Sequence, residues 1–175
     1  MKVIFTCGGT AGHVNPALAL AGYMRKKDPT VEVLFVGTPE GIERDLVAQA
    51  GYDYRGIAVG SLERSVSWEA IRHNCKSAWE MLALRRKTGA ILKEFPADLV
   101  VGTGGYASYP MVKYAALRGI PTAVHEANMI PGLTTKMLES TPRALWWALR
   151  SAGRSTSTRS ALPSPGPRCG ETSLT

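Results

Sequence analysis

Three short segments concentrate the residue types that hold or move polar groups. Cys7-Gly8-Gly9-Thr10-Ala11-Gly12-His13 follows one apolar run, and Gly102-Thr103-Gly104-Gly105-Tyr106 follows another. His125-Glu126-Ala127-Asn128 follows a third. Glycines let a backbone pass close to a ligand, and the N–H groups at the start of a following helix can hold an anion. The spacing excludes the commoner phosphate binders. Gly8 to Gly12 lacks the G-x-G-x-x-G pattern, and no G-x-x-x-x-G-K-[ST] is present. No serine lies in a G-x-S-x-G elbow, and no D-x-D metal motif is found. What remains is a loop that cradles something polar without a metal. One glycine turn after a strand is often only a connection; two such turns and a polar cluster at one sheet edge point to a binding site.

The elements that must position these segments alternate. Lys2–Thr6 reads as a buried strand, and a helix is expected after Pro16, ending in Arg25, Lys26 and Lys27. A strand over Val31–Val36, a helix over Ile42–Ala50 and a strand over Tyr54–Val59 follow. A long helical region runs from Ser67 to Phe95 and is stopped by Pro96. Strands over Leu99–Val101 and Thr122–His125 flank a helix over Pro110–Arg118, and Gly132–Leu138 begins another helix. The predicted fold is therefore α/β, a Rossmann-like parallel sheet with right-handed crossovers. Ligands in such sheets bind beyond the carboxyl ends of the strands, where all three segments fall.

Composition narrows the partners. The 175 residues are 45% apolar and 20% charged, which excludes a fibrous or fully disordered chain. No apolar run reaches the roughly 18–20 residues that span a bilayer. The N-terminus has no signal-peptide pattern, and Cys7, Cys75 and Cys169 have no ligand spacing, so a reducing cytoplasm is the expected setting. The net charge of +7 raises nucleic acid as a partner. However, Arg143, Arg150, Arg154, Arg159 and Arg168, against Glu171 alone, supply more than half of it from the stretch after Glu139. Nucleic acid is accordingly not expected.

The order Gly8-Gly9-Thr10-Ala11-Gly12-His13, then Gly102-Thr103-Gly104-Gly105-Tyr106, then His125-Glu126-Ala127-Asn128 with Pro131-Gly132-Leu133-Thr134, resembles a known family. It is similar to the N-terminal domain of the bacterial peptidoglycan lipid-intermediate glycosyltransferases, family 28. Gly37-Thr38 and Gly41-Ile42-Glu43 agree as well, and the resemblance covers residues 1–139. Two positions depart from the family pattern. Ala11 stands where glycine is usual, adding a methyl that would crowd a pyrophosphate or resist a left-handed backbone. Ala127 stands where glutamine is common, which removes a polar side chain.

The resemblance implies the N-terminal half of a two-domain GT-B enzyme, its paired Rossmann-like domains facing each other across a cleft. It implies inverting, metal-independent transfer of N-acetylglucosamine from UDP-N-acetylglucosamine to the C4 hydroxyl of undecaprenyl-pyrophosphoryl-muramoyl-pentapeptide, with no cofactor. The hydroxyl needs a general base and the departing diphosphate needs stabilisation. His13 fits the base because an imidazole is the side chain suited to taking up a proton near neutrality; the alternative is a helix-start histidine bonded to backbone. Glu126 shares the base role or tethers a neighbouring loop. Thr10, Ala11, Gly12 and Asn128 match donor-binding positions, and Gly104, Gly105, Tyr106 and His125 match acceptor-binding ones. His73, among charges on the long helix, is expected to be solvated.

On a 100° helix, Trp68, Cys75, Trp79 and Arg86 lie within about 20° of one line. Arg72 and Lys76 flank it. Tryptophans beside cations suit an anionic headgroup surface, although an apolar stripe equally suits a core. Because the family docks on the cytoplasmic membrane face, peripheral attachment there is expected.

Residues 140–175 carry a different composition, rich in Ser, Thr, Pro and Arg, and are expected to be mostly unstructured, with a turn or two of helix over Ala144–Arg150. Codons read from the third base of each present codon turn Trp146-Trp147-Ala148 into Val-Gly. In the same frame residues 163–174 can yield V-T-G-T-P-V-R, similar to the segment where the family enters its second domain. The expectation is a shifted frame beginning near residues 139–145, so that the chain is a truncated half. The other reading is a membrane-docking subunit of a split glycosyltransferase.

Overall fold

Apolar side chains on both faces of every central strand dictate that helices must cover both sides of the sheet. The computed structural model describes residues 1–58, 70–126 and 144–148, with side chains described outside 70–81 and 144–148. Its elements run β1 (Lys2–Cys7), α1 (Ala11–Lys27), β2 (Glu32–Gly37), α2 (Ile42–Gln49) and β3 (Asp53–Gly56). They continue with α3 (Ala70–Glu94), β4 (Leu99–Gly104), α4 (Ser108–Leu117), β5 (Thr122–Glu126) and β6 (Ala144–Ala148). All pairings are parallel, in the order β3-β2-β1-β4-β5-β6.

The period-two alternation of strands sorts the core into two layers. Ile4, Leu34, Val36 and Val100 face Leu84 and Leu92 of α3 and Met111 and Val112 of α4. Val3, Phe5, Val33, Phe35 and Val101 face the other way, onto Val14, Ala17 and Ala21 of α1 and Val47 of α2. Phe5 and Phe35, adjacent across the β1–β2 pair, stack with ring centroids 5.4 Å apart. Each fully buried side chain of this size contributes about 1.5–3 kcal/mol.

Three expected elements change. Helix α1 begins at Ala11, so Pro16 lies inside it. The proline removes one i→i−4 bond, but its partner carbonyl would belong to Gly12, which is exposed to water. The basic residues expected at the helix end are there, Arg25, Lys26 and Lys27 in the last turn. Strand β3 is shorter than Tyr54–Val59 and ends at Gly56, with Ile57 buried behind it. The helical turns expected over Ala144–Arg150 are replaced by β6, which pairs with β5 from Thr122↔Ala144 to Glu126↔Ala148. The open edge of β5 provides unpaired backbone groups for an adjacent apolar segment, which outweighs the segment's local helical preference. The helix expected over Gly132–Leu138 lies outside the described residues.

Candidate functional site

The strand order places a topological switch between β1 and β4, because the chain leaves β1 towards β2 and returns beyond it at β4. Crossovers on either side of a switch point diverge and leave a crevice at the carboxyl ends of the strands. The two glycine loops are the loops that follow β1 and β4. Their register confirms the adjacency: Thr6 pairs with Gly102, and Cys7 with Gly104 across an irregularity in the ladder.

The two loops fit into each other. Gly104 has φ +116 and Gly105 φ +82, a backbone region that favours glycine. Space makes the same demand. A side chain on Gly105 would overlap the Gly8 carbonyl, and one on Gly104 would overlap the His13 imidazole. The second loop therefore packs against the ring of His13, which is half-buried in the first turn of α1. The Thr103 hydroxyl donates to the His13 carbonyl at 2.6 Å, and the Ser108 hydroxyl donates to the Gly105 carbonyl at 2.7 Å. His13 is thus held through its backbone and one ring face.

The first loop has its own geometry. Gly8 is buried, whereas Gly9 and Thr10 are exposed. Thr10 is the N-cap of α1 in extended backbone, and its side chain makes no cap bond. The Thr10 side chain thus leaves the N–H groups at the positive end of the helix dipole uncapped, and the His13 N–H turns back to the Thr10 carbonyl at 3.0 Å. Ala11 is the first residue of that helix. Its backbone is helical, so the left-handed conformation that would have resisted its methyl is not required there.

Behind the first loop lies a buried carboxylate. Glu43, in the first turn of α2, is fully buried. It accepts bonds from the Thr38 N–H at 2.9 Å, the Thr38 hydroxyl at 2.5 Å and the Gly9 N–H at 3.4 Å. Burial alone would raise its pKa, but these donors outweigh burial and hold the carboxyl below its usual range. The Tyr54 hydroxyl donates to the Thr38 carbonyl at 2.6 Å. Burial, then the charge of Glu43, pushes Tyr54 upward, and the same two causes push the Cys7 thiol up to about 12. Cys7 is therefore a neutral core residue at physiological pH.

The structure brings Thr10, Ala11, Gly12, His13, Gly104, Gly105, Tyr106, His125 and Glu126 to the carboxyl ends of β1, β4 and β5, three neighbouring strands. Tyr106 is 50% exposed at the rim. His125 is half-buried, and its Nδ1 has no hydrogen-bond partner among the described residues. Glu126 is buried. Asn128, Ala127 and Trp68 lie outside the described residues, as does the structure of the Arg72, Lys76 and Trp79 side chains on α3; Arg86 on that helix is exposed. Among the described residues no group of three or more His, Cys, Asp or Glu is placed to hold a metal ion, and no helix is long and apolar enough to cross a membrane. Sequence reasoning noted Glu43 and Thr38 only as part of a resemblance. A carboxylate at the start of an amphipathic helix, next to two glycines and a threonine, was the available signal.

The fold and the site define a class: a Rossmann-like domain of the kind that forms one half of a GT-B glycosyltransferase. The chain belongs to glycosyltransferase family 28, whose N-terminal domain matches residues 3–146. It is 46% identical over 141 residues to the UDP-N-acetylglucosamine–N-acetylmuramyl-(pentapeptide) pyrophosphoryl-undecaprenol N-acetylglucosamine transferase of Desulfitobacterium hafniense strain Y51. That match covers 79% of this chain and 36% of the relative. The Exiguobacterium enzyme of the same name is 44% identical over 138 residues, with 79% and 37% covered. The chain thus spans little more than a third of the length of these relatives. Among solved structures, Acinetobacter baumannii MurG superposes with a TM-score of 0.67 at 25% identity, covering 88% of this chain and 43% of that one. The Streptomyces glycosyltransferase SsfS6 shares the fold, with a TM-score of 0.53 at 18% identity over 78% of this chain and 42% of that one.

Proposed function

We propose that this chain is the acceptor- and membrane-facing half of an inverting, metal-independent transferase. It moves N-acetylglucosamine from UDP-N-acetylglucosamine to the C4 hydroxyl of undecaprenyl-pyrophosphoryl-muramoyl-pentapeptide. The observation that carries this reading is the meeting of the two glycine loops around His13 at the switch point of the sheet. His13 takes the proton of the attacking hydroxyl. Its backbone carbonyl is fixed by Thr103 and its ring rests on Gly104, which aims the imidazole without consuming it. Thr10, Ala11 and Gly12, with Asn128, approach the donor; the N–H groups at the start of α1 meet the departing diphosphate. Gly104, Gly105, Tyr106 and His125 line the acceptor's pyrophosphate. The burial of Glu126 supports its role as a loop tether rather than a proton acceptor.

Reconstitution tests this. The chain is mixed with a separately produced C-terminal half of the Desulfitobacterium relative, and transfer to a lipid acceptor is followed. Transfer is expected in the mixture and not from either half, and His13→Ala should lower it by about 10²–10⁴-fold. Full activity of the His13→Ala mixture would move the base elsewhere.

The membrane contact is assigned to α3 and the residues before it: Trp68, Arg72, Lys76, Trp79 and Arg86, on an anionic cytoplasmic leaflet. Trp79→Glu should weaken sedimentation with anionic vesicles while leaving thermal unfolding unchanged; unaltered sedimentation would rule the contact out.

A second reading, a docking subunit of a split glycosyltransferase, is favoured by the pairing of Ala144–Ala148 with β5, beyond the boundary expected at residue 139. The coding DNA around Glu139 separates the two. A single-base slip there supports a truncated half, and an intact frame supports the subunit.

A further inference from the structure

The buried carboxylate behind the first glycine loop has no place in the chemistry just described, yet its hydrogen bonds join two of the loops at this end of the sheet. Glu43 reaches from α2 to the loop after β2 through Thr38 and to the loop after β1 through Gly9. Its surroundings are shaped to admit it. Side chains on Gly37 or Gly41 would overlap Glu43, and one on Gly8 would come within 3.2 Å of its Oε1. Three glycines from two loops therefore make room for one carboxylate. Tyr54 closes the far side through the Thr38 carbonyl.

We propose that Glu43 is a positioning residue for the site: its carboxylate sets the conformation of Gly8-Gly9-Thr10, and through it the start of α1 that carries His13. The proposal rests on the reading of these loops as the ligand rim, but its physical content is separate. A carboxylate accepts at both oxygens, so one side chain satisfies the Thr38 hydroxyl, the Thr38 N–H and the Gly9 N–H together. A glycine loop without such an anchor would sample many backbone states, and a ligand would have to select one of them. Gly9, with φ +87 and nothing within 4 Å of where a side chain would begin, is where that freedom would appear.

The test uses the full 175-residue chain and amide hydrogen exchange followed by NMR. In Glu43→Ala, exchange at Gly9 and Thr38 should accelerate about tenfold or more, while Phe5 and Val100 in the core keep their rates. Glu43→Gln, which retains one acceptor oxygen, should recover part of the protection. If Glu43→Ala does not fold, Glu43→Gln and Thr38→Val decide, each expected to accelerate Gly9 selectively. Unchanged exchange at Gly9, or a parallel rise at Phe5 and Val100, would overturn the proposal, the latter by reducing Glu43 to a stability role. A titration of the unmodified chain with inorganic pyrophosphate, read at the amides of residues 9–13, reports on the ligand reading independently. Absent shifts there would count against the site while leaving the exchange result standing.

Discussion

The two glycine loops do the same geometric job by different physics. The loop after β4 is held by packing and neutral hydrogen bonds: Gly105 fits against the Gly8 carbonyl, Gly104 fits against His13, and the Thr103 and Ser108 hydroxyls bond nearby carbonyls. The loop after β1 is held by a buried charge, the Glu43 carboxylate supplied by a helix from the next crossover. Shape holds the first arrangement at any pH. The second weakens when Glu43 is protonated, because a neutral carboxyl accepts hydrogen bonds less strongly than a carboxylate. The difference teaches that a glycine's freedom can be removed either by filling the space around it or by giving its N–H a fixed acceptor.

The most disruptive way to break the comparison is to fill the space. Gly105→Ala should destabilise the domain by about 3 kcal/mol or more, combining overlap with the Gly8 carbonyl and a left-handed backbone. Denaturant unfolding measures this, and a loss under about 1 kcal/mol would show that the loops do not interlock. Next in size is the charge. The folded-state pKa of Glu43 is depressed, so its contribution is complete above the usual carboxylate range and is lost as pH falls through the lower folded value. The stability difference between the unmodified chain and Glu43→Gln should therefore be greatest near neutrality and should shrink below about pH 4. A difference independent of pH would mean that the charge contributes nothing. The smallest effect belongs to a neutral bond in the second loop. Ser108→Ala should cost about 1 kcal/mol with no pH dependence over the same range.

How these regions differ also marks what the sequence made legible. The strands were readable because their residues are apolar on both faces, a pattern that only a sheet covered on two sides explains. The glycine segments were readable because each directly follows such a run. The order of the described elements from β1 to β5, and the strand ends at which the glycine segments fall, could thus be read from local pattern. The start of α1 was misjudged by five residues, since Pro16 looks like a helix opener until the loop before it is seen to end at Thr10. Strand β6 was missed for a related reason, because Ala144–Ala148 is a five-residue run that reads equally as a turn or two of helix until the β5 edge beside it supplies the pairing.

By itself, then, the sequence determined the parallel α/β class, the alternation that splits the core into two layers, and the placement of glycines and histidines at strand ends. Those properties follow from nearest-neighbour chemistry and periodicity. Only the tertiary structure decided that Gly105 meets Gly8, that His13 lies against Gly104, and that Glu43 joins two loops. The physical reason is separation along the chain. Glu43 and Gly9 are 34 positions apart, and Thr103 and His13 are 90 apart. Contacts between such distant positions have no local signature and form only once the sheet has set the strands side by side.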